Sequence, residues 1–343
     1  MNPLSRIILD WYSENERDLP WRRTRDPYAV WLSEIILQQT RIAQGTAYWH
    51  RFMERFPTVK DLAEASEDEV LRLWEGLGYY SRARNLHAAA RQIVEMGGFP
   101  NTLEGIKALK GVGDYTAAAI GSICFGLPAA VVDGNVYRVL ARHFGLCTPV
   151  GTTEAKKEFT ALADKLLPSG SPARFNQGMM DFGALQCTPQ NPACMTCPLQ
   201  ASCNAFRTGR VQLLPVKKPS VKVQERHFSY IYLRYNGETA IRKREPGDIW
   251  QGLYEPLVTS PTAEENYFSC SSPKNQFPSA IAKPTLIRSG VKHQLTHRTL
   301  LTDFYLWEPE NRPELPEGYF WIQETELDRY AKPRLFELLL EAL

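Results

Sequence analysis

Apolar positions along this chain follow one period up to about residue 220 and another after it. In the first part they recur at helical spacing. Residues 2 to 14 read as an amphipathic helix, and YAVWLSEIILQQTRI as a second, largely apolar one. An Ala-rich helix opens at Asp114-Tyr115-Thr116, and Val136, Val139, Leu140 and Phe144 line one face of another. Two more helices lie between 154 and 186. From residue 226 on, HFSYIYLRY, TAIRKR, PTLIRS and TLLTDFYLW read as strands, the first alternating by two, and WIQETELDRYAKPRLFELLLEAL as a closing helix. Between the two parts, TGRVQLLPVKKPSVKVQE mixes prolines and lysines without a period, which marks an extended connector. The pattern predicts a mostly α domain over residues 1–207, a linker over 208–225 and an α+β domain over 226–343.

Composition agrees with this and excludes little else. A chain of 343 residues is long enough for two cores. Its 43% apolar content and mean hydropathy of −0.34 describe a globular protein. No run reaches the roughly 18 apolar residues of a membrane span, and MNPLSRIILDWY lacks a secretion pattern, so a cytoplasmic protein is expected. A net charge of +2 permits nucleic-acid binding without arguing for it. Seven cysteines suit no disulfide framework, but four of them fall between 187 and 203, which points to metal.

Four places carry candidate chemistry. Gly111-Val112-Gly113 supplies a tight turn between helices, expected to use φ > 0 at its glycines, and leaves a helix N-terminus able to face an anion. Asp133 stands where an N-cap would, ahead of the 136–144 helix, and its type alone fits a simple cap at least as well as a catalytic role. Glu34 is the one ionisable residue in an apolar helical run. Between Val30 and Leu37 its carboxyl would be desolvated and could serve as a general acid; an exposed flank glutamate is the plainer reading. The cysteines, Cys187-x6-Cys194-x2-Cys197-x5-Cys203, can close on zinc or on a four-iron cluster, and only one C-x2-C knuckle is present.

Taken together, L-K-G-V-G-x-x-T-A, V-D-G-N-V-x-R-V and the 6-2-5 cysteine loop with Pro198 resemble the helix-hairpin-helix DNA glycosylases of the endonuclease III superfamily. W-L-S-E-I-I-L-Q-Q-T resembles the MutY-type adenine DNA glycosylase branch, since endonuclease III relatives lack an acid at the position of Glu34. The resemblance implies a 4Fe-4S cluster on Cys187, Cys194, Cys197 and Cys203. It implies Glu34 as proton donor, Asp133 as catalytic carboxylate, Asn135 as its support and Tyr115 as partner of Glu34. Bifunctional members carry a Schiff-base lysine where Tyr115 stands, so base release without an efficient strand cut is expected. Trp21, Arg22 and Gln177 are implied to line the adenine pocket. Gln39 and Tyr79 would enter the base stack, with Gly111 and Gly113 on the DNA backbone. The loop TPQNPA, basic in many relatives, is uncharged here, which leaves phosphate contact to Arg207 and Arg210.

In the second domain PGDIWQGLYEPL resembles the Nudix-like domain of the same family, but no R-E-x-x-E-E run is present to hold magnesium, so binding rather than hydrolysis is expected. Leu295, Thr296 and His297 stand where the family reads 8-oxoguanine with F-S-H, the aromatic being lost. The expectation is a monomer that acts on double-stranded DNA with A:8-oxoguanine mispairs. The alternative is an endonuclease III-like bifunctional glycosylase and lyase. Cys124, Cys147 and Cys270 read as ordinary thiols.

Overall fold

The computed structural model describes residues 1–218, 223–259 and 283–343; Cys270 lies outside them. By packing, the chain divides into two units: Met1–Glu64 with Asn85–Pro219, and Ala65–Arg84 with Ser220–Leu343. The second unit thus takes in twenty residues from the middle of the first domain's sequence.

The first unit is helical. Helix Pro3–Asn15 begins behind Asn2, whose side chain accepts from the Leu4 N–H, and buries Leu4, Ile8 and Tyr12. Leu4 and Ile8 pack with Val136, Val139 and Leu140 of helix Gly134–Phe144, with Phe159, and with Phe175, Met179 and Phe182, in one core. Helix Pro172–Asp181 runs on as a π-turn over Phe182–Gln186, straight into Cys187. Wide turns of this kind mark places where a helix yields to another demand. Here Gly183 presses on Asn135: a Cβ on Gly183 would stand 2.7 Å from Asn135 Cβ.

The helix expected over YAVWLSEIILQQTRI is shorter than its pattern, Pro27–Ile36, capped by Asp26. Gln39 takes φ 58°, and no helix continues through that conformation. The Gly111-Val112-Gly113 turn also differs in detail. Gly111 is left-handed (φ 76°), and a Cβ there would strike Asn85 at 2.6 Å, whereas Gly113 is extended (φ −97°) and serves as the N-cap of helix Asp114–Phe125.

The second unit holds a mixed sheet of the Nudix-like kind. Its strands are β1 (Gln224–Tyr235), β2 (Glu238–Lys243), β3 (Tyr254–Glu255), β4 (Leu257–Thr259), β5 (Thr285–Gln294), β6 (Arg298–Trp307) and β7 (Tyr319–Gln323). The order is β3-β2-β1-β6-β5, with β4 on β1 and β7 on β2; β1 and β6 are parallel and the remaining pairs antiparallel. Phe228, Tyr230 and Tyr232 on β1 pack with Leu300 and Phe304 on β6 and with Leu335, Phe336 and Leu339 of helix Arg334–Leu340. That helix is all that forms of the long closing helix the pattern predicts: Trp321 and Ile322 pair in β7, Glu324–Arg329 is a 3-10 turn, and Pro333, without an N–H, sets the helix start. Ala65–Arg84 is tied to this sheet unit by Glu75, which accepts from the Lys332 N–H at 2.9 Å, by Asp68, which accepts from the Tyr254 hydroxyl at 3.0 Å, and by Arg84, which donates to the Gln251 carbonyl at 2.5 Å.

Candidate active site and cysteine loop

A pocket of about 490 Å³ opens in the helical unit, lined among others by Trp21, Arg22, Glu34, Tyr115, Asp133, Asn135 and Gln177, with Gln39 at its rim. Seven residues singled out over some 150 positions of sequence thus meet in one cavity, of a size that suits a small planar ligand.

Glu34 comes from helix Pro27–Ile36, with Val30 and Leu37 beside it in the pocket wall. Burial pushes its carboxyl up to about 7; a hydrogen bond from Tyr115 and the charge of Arg22 work against that rise, and the charge of Asp133 works with it. The Tyr115 phenol is itself raised, first by burial and then by the charges of Glu34 and Asp133, and its hydroxyl lies 3.6 Å from Met180 Sδ. It stays a donor.

Asp133 is indeed the N-cap of its helix: Oδ1 accepts from the Val136 N–H at 2.8 Å. Its other oxygen, Oδ2, accepts from Asn135 Nδ2 at 2.8 Å. Burial raises the carboxyl, and these bonds with the charge of Arg138 draw it back toward the ionised form. Capping and chemistry are therefore not rivals here, because the cap bond fixes one oxygen and leaves the group in the pocket wall.

Arg22 is fastened from behind. Its Nη1 and Nη2 donate to the two oxygens of the fully buried Asp181 at 2.7 and 2.8 Å, and Arg17 adds a third bond through Nε at 2.8 Å. Burial alone would raise Asp181; the two arginines outweigh it and hold the carboxyl below its usual range. Trp21 is buried in the adjoining 3-10 turn, edge-on to Trp49 at 6.0 Å. Gln177 Oε1 lies 2.9 Å from the Tyr12 hydroxyl.

Behind Asp133 lies the cysteine loop. Arg138 donates from Nη2 to Asn135 Oδ1 (2.7 Å) and to the Gly183 carbonyl (2.6 Å), and from Nε to the Cys187 carbonyl (2.7 Å). One turn on, Arg142 donates to the carbonyls of Thr188, Pro189, Val211 and Leu214 and from Nη1 to Cys187 Sγ at 3.4 Å. Sequence reasoning missed both arginines. Their signal was two charges at i and i+4 within a helix whose other residues at that spacing are apolar.

Cys187, Cys194, Cys197 and Cys203 are half-buried and close enough that Cys194 feels the charge of Cys187 and Cys203, and Cys197 that of the other three. Among the described residues no three His, Cys, Asp or Glu side chains close on a single metal ion. Four thiols on one loop are the donor set of an iron–sulfur cluster, whose irons each take one of them. Arg210, expected near phosphate, is engaged with Asn204 Oδ1 at 2.7 Å and Thr208 Oγ1 at 3.0 Å. Cys124, on helix Asp114–Phe125, has its thiol pushed up to about 12 by burial, as befits an inert thiol, and Cys147 is exposed.

In the sheet unit, Leu295–His297 connects β5 to β6. Thr296 and His297 are exposed, while Leu295 leans on the sheet core. The Thr296 hydroxyl is hydrogen-bonded to that of Tyr79, which is left-handed (φ 47°) and 47% exposed. Both line a cavity of about 700 Å³ with Trp250, His293, Arg298 and Arg334.

Residues 32–168 match the family model described as HhH-GPD superfamily base excision DNA repair protein, residues 187–203 the iron-sulfur binding domain of endonuclease III, and residues 229–342 the NUDIX domain. The cofactor of the cysteine loop is accordingly a 4Fe-4S cluster. The adenine DNA glycosylase of Buchnera aphidicola subsp. Schizaphis graminum is 36% identical over 253 residues, 73% of this chain and 73% of that protein. The human adenine DNA glycosylase is 46% identical over 219 residues, 60% of this chain but 40% of that protein's length; the match to the rat protein spans 43% of its length. Among solved structures a thermostable thymine-DNA glycosylase aligns with a TM-score of 0.55 at 32% identity, covering 60% of this chain and 95% of that one.

Proposed function

The chain belongs to the adenine DNA glycosylase family, and from that premise we propose that it hydrolyses the N-glycosidic bond of adenine mispaired with 8-oxoguanine, or with guanine, in duplex DNA. The observation that carries this reading is the Glu34 carboxyl, held up to about 7 in the same pocket as a second carboxylate, Asp133.

An adenine turned out of the stack would enter the pocket of Trp21, Arg22 and Gln177. Glu34, protonated near neutral pH and bonded to Tyr115, gives its proton to N7 of the base, which turns adenine into a neutral leaving group. As the glycosidic bond breaks, positive charge grows on the sugar. Asp133 faces it with a carboxylate fixed through Oδ2 by Asn135 and through Oδ1 by the Val136 N–H, and a preorganised anion stabilises such a charge without first having to move. Water then completes hydrolysis. Tyr115 has no amine, so no Schiff base forms and the strand is not cut by this chain.

The 4Fe-4S cluster, when bound, supplies four iron–thiolate links that tie residues 187–203 into one body. The chain's own part is the Arg138 and Arg142 clamp on that loop, and no step of the reaction passes through the irons. Loss of duplex selectivity when Thr296 and His297 are altered would assign 8-oxoguanine reading to the sheet unit. The whole reading is tested by single-turnover release of adenine from duplexes holding it opposite 8-oxoguanine, guanine or thymine, run with and without alkali. No release from any of the three would overturn it.

A further inference from the structure

Gln177 faces the pocket with an amide whose two ends differ in chemistry but hardly in shape, so what holds one end decides what the other offers. As placed, its Oε1 lies 2.9 Å from the Tyr12 hydroxyl, but the oxygen and nitrogen of an amide are told apart by the hydrogen bonds they can make rather than by shape. The same hydroxyl lies 2.8 Å from Glu16 Oε1. A phenol has one proton, and two acceptors cannot both receive it. The carboxylate forms the stronger, charge-assisted bond. Burial first, and then the Glu16 carboxylate, keep the Tyr12 phenol protonated, though Arg22 acts the other way.

With its proton on Glu16, the Tyr12 oxygen becomes an acceptor, and Oε1 beside it would leave two acceptors face to face, so the amide bonds to it only when turned over to present Nε2. We infer that Glu16 and Tyr12 fix the polarity of the Gln177 amide, turning its carbonyl oxygen to the pocket so that the site selects a base bearing an exocyclic amine. Tyr12 is fit for this task. It is 1% exposed, set in the core-facing side of helix Pro3–Asn15, and Arg22 lies over its ring at 5.9 Å, so neither ring nor hydroxyl can swing away. Among the described residues the far end of Gln177 bonds to no other group, as a reading group must.

The inference rests on the adenine reading above and gives it a chemical cause. Adenine carries a donor, its amine, beside the N7 that Glu34 would protonate, whereas guanine and hypoxanthine carry a carbonyl there. A pocket oxygen would accept from the first and repel the others. Tyr12 is thus a positioning residue, acting through Gln177.

The test compares single-turnover excision of adenine, of purine, which lacks the amine, and of hypoxanthine, each opposite 8-oxoguanine. In Tyr12→Phe the shape stays and the anchoring oxygen goes. Loss of one such bond should slow adenine about three- to tenfold, leave purine within about twofold, and narrow the preference for adenine over hypoxanthine. Adding Gln177→Glu should restore adenine over purine, because a carboxylate has acceptors at both ends and needs no anchor. Glu16→Gln, on the surface, should move the same ratio in the same direction, and it carries the test should Tyr12→Phe fold poorly. Equal slowing of adenine and purine in Tyr12→Phe, or no recovery with Gln177→Glu, would overturn the inference while leaving the glycosylase reading intact. A wild-type chain that releases no adenine would instead remove that reading, and this one with it.

Discussion

The Arg138 guanidinium donates to Asn135 Oδ1 at 2.7 Å while its Nε donates to the carbonyl of Cys187, so one side chain spans the pocket wall and the first residue of the cysteine loop. Asn135 in turn holds Asp133. Arg138→Met keeps the aliphatic stem and leaves the oxygens of Gly183, Cys187 and Asn135 without this donor. Hydrogen bonds to charged groups contribute about 1.5–3 kcal/mol each, and relaxation recovers part of that. Thermal unfolding should therefore show a loss on the order of 2–3 kcal/mol. Adenine release in the folded fraction should fall further than duplex binding. Unchanged release would mean that Asp133 needs no such support.

Glu34→Gln should abolish adenine release and leave duplex binding nearly intact, since the amide keeps the shape and loses the proton. General acid catalysis accounts for roughly 10²- to 10⁴-fold, so residual activity above about a tenth of wild type excludes the role.

The same carboxyl predicts a pH dependence. Its folded value, up to about 7, lies above the usual 4.5. The reactive form is the protonated one, so single-turnover rates should fall as pH rises through about 7. Stability has the same sign: between 4.5 and 7 the folded state binds more protons than the unfolded state, so stability is lost over that window as pH rises. Glu34→Gln should thus be more stable than wild type at pH 8 and no more stable at pH 4. Denaturant midpoints at the two values check it.

Tyr115 predicts the fate of the DNA strand. Breaks should appear only after alkali, and borohydride should trap little covalent complex, because no amine stands at the hairpin. Efficient trapping by the wild-type chain would restore the bifunctional alternative.

The cysteine loop should carry iron. Protein purified without oxygen should be brown and hold roughly four irons per chain. Cys197→Ala should be largely insoluble, and Arg142→Met, which strips donors from the loop carbonyls of Thr188 and Pro189 and from those of Val211 and Leu214 beyond it, should lose the visible absorbance faster on warming. Stoichiometric zinc without iron would contradict the assignment.

Thr296→Val with His297→Ala should slow adenine opposite 8-oxoguanine more than adenine opposite guanine. The lesion presents a donor at N7 where guanine presents an acceptor, and one hydrogen bond of this kind is worth about 0.5–1.5 kcal/mol. Equal slowing on the two duplexes would mean that the lesion is read elsewhere.

The sequence by itself determined what local rules encode. The cysteine spacing, the apolar run around Glu34 and the cap at Asp133 each depend on residues a few positions apart, and β1 forms where its pattern predicts a strand, although Phe228 to Leu233 are buried in succession because Ile231 and Leu233 join a second apolar cluster on its other face. What it misjudged were lengths: the helix after Asp26 ends at Ile36 and the closing helix shrinks to Arg334–Leu340, because a left-handed Gln39 and the pairing of β7 outweigh helical preference. Only the tertiary structure decided what stands behind the pocket. Asp181 meets Arg22 across 159 positions, Tyr12 meets Gln177 across 165, Arg138 reaches Cys187 across 49, and Ala65–Arg84 packs with the sheet unit. A buried charge or amide looks like any other in a sequence, because its partner is chosen by which helices the hydrophobic core brings together, and that choice has no local period to read.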